Sequence, residues 1–372
     1  MRFALFYHSL ISDWNHGNAH FLRGVASELI ARGHSVRVFE PRDNWSLRNL
    51  REHCGEAAIA EFRKAYPQLR SELYDLSTLD LDEALDAADV VIVHEWNDPS
   101  LVKRIGQHRA ITRSYRLFFH DTHHRAVSAP AELQRFDLSH YDGVLAFGEV
   151  LRQIYEDRGW AARAWTWHEA ADTRVFRPLS SRRKDFDLVW VGNWGDGERA
   201  GEISEYLLEP VRALQLRARI HGVRYPEEAL SRLRLSGADY AGWIANFRVP
   251  SVFASARMTV HIPRAFYSRN LPGIPTIRMF EALACGIPLV SAPWDDCESL
   301  FEAGRDFLVA TNGQEMREHL RMLRFDAETA RAIAANGLQR VLSHHTCAHR
   351  VQELLAICRE LGSSDTPTGK VA

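Results

Sequence analysis

The stretch Leu271–Pro293, reading LPGIPTIRMFEALACGIPLVSAP, holds the residues whose types and spacing best fit chemistry. Gly273 predicts a turn, and Pro275 is expected at the first helical position, where a missing N–H costs nothing. Met279, Phe280, Leu283 and Ala284 recur at helical spacing and predict a core-facing side. Gly286 predicts the left-handed helix stop, and Leu289–Ala292 a buried strand. The start of such a helix offers free backbone N–H groups and the positive dipole end, which together hold an anion. Arg278 in the first turn adds a forked cationic donor. Glu281 lies three residues on, shares that face and can accept from sugar hydroxyls. An anion site beside a hydroxyl acceptor suits a nucleoside diphosphate joined to a sugar. The same two residues also fit a plain ion pair on a solvated helix face.

Other polar clusters follow predicted strands, and in open parallel sheets ligands bind outside the strands' carboxyl ends. Arg116–Phe119 predicts a strand running into His120, Asp121, Thr122, His123 and His124. Asp89–His94 predicts one running into Glu95 and Trp96. Asp187–Val191 leads into Gly192, Asn193, Gly195 and Gly197, with Arg199 beside the next helix; Met258–Ile262 carries His261 at its end. Glycines lack a Cβ and let backbone N–H groups approach a diphosphate. No GK[ST] follows them, which argues against an ATPase or kinase, and neither half has the GxGxxG of a dehydrogenase. The run HDTHH is not HExxH and no acid or cysteine pair stands at ligand spacing, so no metal is expected. His120 and Asp121 fit the orienting of a hydroxylated substrate or a structural role. His345 and His349 have zinc-compatible spacing but are expected to form a polar hinge.

The elements that must position these residues come in two similar sets. Arg2–Tyr7 predicts a strand, His8–Gly17 a loop, Asn18–Arg32 a helix and Val36–Phe39 a second strand, a Rossmann-like opening in which Gly17 allows close backbone approach. The second half again begins with a strand entering a glycine-rich loop. Trp165–Pro178 is expected to link the halves, Glu298–Gly304 to be a short helix, and Ala348–Leu361 a final amphipathic helix. At 372 residues the chain has room for two domains. Its 46% hydrophobic and 25% charged residues are an ordinary globular mix. A net charge of −2 gives no basic field, so nucleic acid is not an expected partner. No apolar run approaches the ~18 residues of a membrane span, and the N-terminus lacks the features of a signal peptide. Five scattered cysteines without a CxxC pair predict reduced thiols and a cytoplasmic location.

In order along the chain, these features resemble the GT-B glycosyltransferases. NAHFLRGVASELIARGHSVRVF is similar to that superfamily's first helix and second strand, HEAADTRVFRP to its interdomain linker, and FEALACGIPLVSAP to its nucleotide-sugar segment. VGNWGDGER, RMFEALACGIPLV and ESLFEAGRDFL together resemble the spore-maturation-protein-like branch of the group-1-like transferases. The resemblance implies an α/β fold of two Rossmann-like domains facing across a cleft, with a C-terminal helix packing back on the first. The expected boundaries are 1–170 for an acceptor domain, 171–347 for a nucleotide-sugar domain, 348–361 for the helix and 362–372 for a disordered tail. It implies transfer of a sugar from a nucleotide-diphosphate donor to an acceptor hydroxyl, retaining and metal-independent, by a hexosyltransferase-class enzyme needing no cofactor. Gly192, Asn193, Arg199, His261, Pro275, Thr276, Ile277, Arg278 and Glu281 would hold the donor, with Glu281 on the ribose. His120 would contact the donor sugar, or His120, Asp121 or Glu95 would take the acceptor's proton. Gly17, His16 and Trp96 would lie on the acceptor side. The resemblance leaves the acceptor open among lipid, polysaccharide, protein and metabolite, and peripheral membrane contact is compatible with the family. A non-hydrolysing sugar-nucleotide epimerase and a non-catalytic nucleotide-sugar module are the alternatives. One departure stands out: the pattern carries a glutamate eight positions before Glu281, where this chain has Gly273.

Overall fold

A computed structural model describes residues 1–180 and 183–364. Of the expected tail, residues 365–372 lie outside the described residues, while 362–364 complete the last helix, Cys347–Ser364.

Two parallel sheets form the frame. The first has seven strands: β1 (Arg2–Phe6), β2 (Ser35–Pro41), β3 (Ser71–Tyr74), β4 (Val90–His94), β5 (Arg116–Asp121), β6 (Gly143–Ala146) and β7 (Ala164–Thr166), in the order β3-β2-β1-β4-β5-β6-β7. The second has six: β8 (Phe186–Val191), β9 (Ala218–His221), β10 (Asp239–Gly242), β11 (Ala256–His261), β12 (Leu289–Ser291) and β13 (Leu308–Val309), in the order β10-β9-β8-β11-β12-β13. Helices cover both faces, so central strands are buried at nearly every position rather than at alternate ones; VVIVH of β4 is buried throughout, His94 included. Strand order reverses between β1 and β4 in one sheet and between β8 and β11 in the other. Each reversal opens a crevice at the strands' carboxyl ends.

The sequence misplaces several elements, each for a local reason. Trp165 belongs to β7 instead of a linker, pairing with Leu145 of β6. The helix after Gly273 runs Ile277–Ala284 with extended Thr276 as its cap, so Pro275 lies before the helix. Glu298–Gly304 is a turn segment. Asp296 accepts the backbone N–H groups of Leu300 and Phe301 at 3.0 and 2.8 Å, and Ser299 has φ 55°, which together divert the chain from a helix.

The last helix returns to the first domain. Its Val351, Leu354, Ile357, Cys358 and Leu361 join Phe21, Leu22 and Val25 of the helix Ala19–Ala31 in one core. Gly24 makes the approach possible: a Cβ there would stand 2.3 Å from Cys347 Sγ and 2.9 Å from Asp172 Cβ. Gly24→Val should therefore lower stability by about 1–3 kcal/mol through overpacking, read as a lower thermal midpoint. An unchanged midpoint would mean that this helix contact is not held in solution.

Candidate active site

The two crevices face each other across a cleft of about 420 Å³. A smaller side pocket of about 100 Å³, lined in part by Gly222, Trp243, Ile244 and Asn246, adjoins it through Asn15, Gly17, Gly192, Asn193 and Arg278.

One wall comes from the first domain's loop after β1. Arg23, fully buried, fixes that loop: Nε donates to Leu10 O, Nη2 to Ile11 O and Nη1 to Asp13, each at 2.8 Å. Its guanidinium also lies 4.8 Å from the Phe62 ring. So anchored, the loop presents Asn15, His16 and Gly17 to the cleft. Gly17 is at close quarters with the phosphate-type helix start, since a Cβ there would sit 3.3 Å from Ile277.

The other wall comes from the second domain. Gly192 and Asn193 follow β8; a Cβ on neighbouring Gly222 would collide with Gly192 O at 2.0 Å, so the two loops can nest only without it. Asn193 accepts from Val223 N at 2.9 Å and donates across the cleft to Asn15 at 2.7 Å. Arg199 is buried and donates to Ile262 O and Asn193 O, both at 2.5 Å, leaving Nε unpartnered. His261 at the end of β11 bonds Ser291 Oγ at 2.9 Å and Thr276 Oγ1 at 3.0 Å. Ser291 donates its own proton to Ala292 O, so His261 Nδ1 carries the hydrogen and Nε2 accepts from Thr276. Burial holds this imidazole down at about 3, hence neutral. Thr276, committed to His261, makes no side-chain cap for the helix it precedes.

Glu281 is buried beneath this surface. It accepts from Asn246 Nδ2 at 2.6 Å and from His20 Nδ1 at 3.1 Å, and pairs with Arg278. His20 Nε2 accepts from Asp172 N at 2.8 Å, which fixes the proton on Nδ1. Burial pushes the carboxyl up, but Arg278, His20 and Asn246 outweigh it and hold it below its ordinary value.

The structure thus brings His16, Gly17, Trp96, Gly192, Asn193, Arg199, His261, Thr276, Ile277 and Arg278 to the cleft. It does not bring His120, Asp121, Glu95, Pro275 or Glu281 to its lining. β5 extends two residues past its expected end, so His120 and Asp121 point into opposite core faces instead of standing in a loop. His120 Nδ1 bonds Tyr7 Oη at 2.7 Å under the ring of Trp167, 4.9 Å away, and burial lowers it to about 3. Asp121 accepts from Tyr155 Oη at 2.8 Å and His123 N at 3.0 Å. Glu95 is buried in an ion pair with Arg125. His123 and His124, two and three places further, line the cleft in their stead. His345 and His349 do not converge: His345 Nε2 meets Leu300 O, and His349 Nδ1 meets Thr346 Oγ1. Among the described residues no group of three His, Cys, Asp or Glu side chains has the geometry to hold a metal.

Gly273 has φ 83°, and a Cβ there would meet Glu298 Oε1 at 2.7 Å. Glu298 fills that corner, bonded to His168 at 2.8 Å and to the Glu149 N–H at 2.9 Å. A glutamate has no room at 273.

Sequence reasoning missed Glu169. It lies in the segment crossing between domains, lines the cleft, and takes a hydrogen bond from the Ile277 backbone N–H and a longer one, 3.4 Å, from Asn18. The helix's first N–H is therefore met by the protein's own carboxyl. Burial, then the charge of Glu281, raise Glu169 to about 8. Little in the sequence hints at it, since the same segment also carries His168, Asp172, Arg174 and Arg177.

Residues 175–356 match the family model described as glycosyl transferase-like. No curated protein matches the sequence. Among solved structures, HepE of Anabaena in complex with UDP has a TM-score of 0.69 at 15% identity, covering 97% of this chain and all of the other (100%). An alpha-glucosyltransferase in complex with UDP and a 13-mer DNA gives 0.69 at 12%, covering 96% and 100%. The sucrose-phosphate synthase of Thermosynechococcus elongatus gives 0.66 at 13%, covering 98% and 99%. These likenesses establish the GT-B fold along the whole chain. One of these structures holds DNA, so this fold does not by itself exclude nucleic acid. No helix among the described residues is long and apolar enough to cross a membrane.

Glu169 generates a pH prediction. Its carboxyl is raised from 4.5 to about 8, so across that window the folded protein keeps a proton that the unfolded chain releases. The fold's stability should fall as pH rises through the window. An anion at the helix start meets a neutral acid below about 8 and a like charge above it. UDP affinity, followed by calorimetry, should therefore drop above that pH in the wild type and stay flat in Glu169→Gln. Parallel profiles for the two proteins would remove Glu169 from the anion site.

Proposed function

We propose that this protein is a glycosyltransferase that uses a uridine-diphosphate sugar with retention of configuration and without a metal; the match of residues 175–356 to the glycosyl transferase-like family model and the GT-B fold of the whole chain support the reading. The observation that carries the reading is the juxtaposition of the Ile277 helix start and Arg278 with the Gly192–Asn193 loop on one cleft. The diphosphate lies between them. Oriented N–H groups and fixed guanidinium charges stabilise the charge that develops as it departs. The base enters the side pocket beside Trp243 and Ile244. Glu281, buried beneath the lining, acts on the nucleotide through Arg278, whose guanidinium it holds at the cleft.

Three features support the finer assignments. Arg199, Arg224, Arg264 and Arg278 line the cleft; the last three are paired with carboxylates, whereas Arg199 donates only to carbonyls and so brings a charge no carboxylate neutralises, in place of one a divalent ion would bring. The imidazoles facing the acceptor side are weak bases, His123 near 3 and His124 near 4, unsuited to deprotonating a hydroxyl. Retention needs no such base. The acceptor oxygen bonds the anomeric carbon on the face the diphosphate leaves. The carbon–oxygen bond to the β-phosphate breaks with its electron pair going to that oxygen, and the acceptor's proton passes to the departing phosphate. The epimerase reading is less well served, since among the described residues Glu169 and Asp196 are the only carboxylates lining the main cleft.

UDP should raise the thermal midpoint. Arg278→Ala should weaken UDP about 10–100-fold by removing a charge-assisted donor. Chelator should leave turnover unchanged, and the product's anomeric proton coupling should match the donor's. No shift with UDP, GDP or ADP would overturn the donor site. Inverted coupling would overturn retention, and loss of turnover with chelator restored by a divalent cation would overturn metal independence.

A further inference from the structure

The first-domain wall of the cleft has a chemistry of its own. Trp45 and Trp96 line it, their rings 6.3 Å apart and nearly perpendicular (67°). Both are held from behind. The His8 ring lies 4.7 Å from that of Trp45. Arg125 stacks 4.6 Å over Trp96 while paired to buried Glu95 and, at 3.5 Å, to Glu132. Arg125 is thus committed to holding the indole and is not spare charge.

Between and beside the indoles stand His16, His123 and His124. Each has a buried ring nitrogen with no protein partner: Nε2 of His16, Nδ1 of His123 and Nε2 of His124. Their other contacts are settled, His16 to the Ser9 backbone and His124 Nδ1 to Ser128 Oγ at 2.8 Å. Burial keeps all three neutral. Thr122 adds a hydroxyl at the same wall. No lysine or arginine of the first domain is among the described residues lining this cleft.

We propose that this wall is the acceptor subsite and that its acceptor is an uncharged carbohydrate, which rests on the transferase reading above. A pyranose presents exactly two kinds of surface, an apolar C–H face and a rim of hydroxyls. The indole faces take the first. The three unpartnered imidazole nitrogens take the second, each neutral ring able to donate or accept at its free nitrogen. A lipid chain would leave those nitrogens buried without partners, at a cost for each. A uronic acid or sugar phosphate would find no cation on this wall to pair with. The arginines lining the cleft, Arg199, Arg224, Arg264 and Arg278, all come from the second domain; Arg264 comes near enough to help lower His123 and His124, but it is already paired with Glu198 and Asp196.

The test measures binding directly, by tryptophan fluorescence and saturation-transfer NMR on the full chain saturated with UDP. The probes are maltose and cellobiose, glucuronic acid, glucose 6-phosphate, and n-octanol. A neutral disaccharide should quench fluorescence and receive saturation at its ring C–H protons, while the charged sugars and octanol do not. Trp45→Ala and Trp96→Ala should each weaken it about tenfold, the scale of one lost stacking contact, with the UDP thermal shift intact. Preference for octanol or for the anionic sugars would overturn the proposal, as would equal disaccharide binding by the wild type and both variants. A missing UDP shift in every protein would indict the donor reading instead. Titration of the disaccharides without nucleotide would then still decide the subsite.

Discussion

A buried carboxylate joins the two domains. Glu281 belongs to the second domain's helix Ile277–Ala284, yet one of its donors, His20, stands on the first domain's helix Ala19–Ala31. A carboxylate with no exposure is tolerable only if paired and hydrogen-bonded, and His20, Asn246 and Arg278 meet that need together. His20 in turn is fixed by the Asp172 N–H in the crossing segment. The arrangement sets the distance between the domains' facing walls at the helix start. Other cross-domain contacts, Asn15 with Asn193 and Asp13 with the Asn246 N–H at 3.1 Å, follow from that placement.

The frame was largely legible in the sequence because it depends on periodicity. β1, β4, β5, β8 and β11 are short apolar runs ending in polar or glycine residues, and each was recognisable as such. The Gly192 loop and Thr276–Arg278 were legible too, since glycines and a helix start carry their chemistry in the backbone. Side-chain direction was not. A two-residue extension of β5 turned His120 and Asp121 from loop residues into core residues, because adjacent strand positions face opposite ways. His123 and His124 gained the cleft by the same shift. Pro275 looked like a helix opener, but Thr276 is the last extended residue and its hydroxyl is drawn away to His261. Glu169 was invisible for a different reason. Its significance comes from an N–H more than a hundred positions later, and no local pattern encodes such a meeting.

The departure at Gly273 has a spatial explanation. Position 273 needs a left-handed backbone and lies against Glu298, so its side chain was given up to packing. Glu298 looks away from the cleft, toward His168 and Glu149. Of the two carboxyls among the described residues lining the cleft, Glu169 and Asp196, the one at the helix start, Glu169, is supplied from the interdomain crossing. Because it sits on the same N–H that would hold a phosphate, its protonation is coupled to whatever anion arrives there.

If the protein transfers a sugar as proposed, the two walls differ in a way that fits the separate demands of group transfer. The leaving group acquires charge, so its wall carries guanidinium groups and the positive end of a helix. The incoming hydroxyl is neutral until the bond forms, so a wall of indoles and uncharged imidazoles orients it without competing for the leaving group's counter-charges. Had His123 or His124 been cationic, each would have drawn the diphosphate toward the acceptor wall. Their burial prevents this, because a desolvated imidazole gives up its proton. On the proposed transferase reading, the same desolvation that makes these rings poor bases would keep the two substrates on their own sides of the cleft.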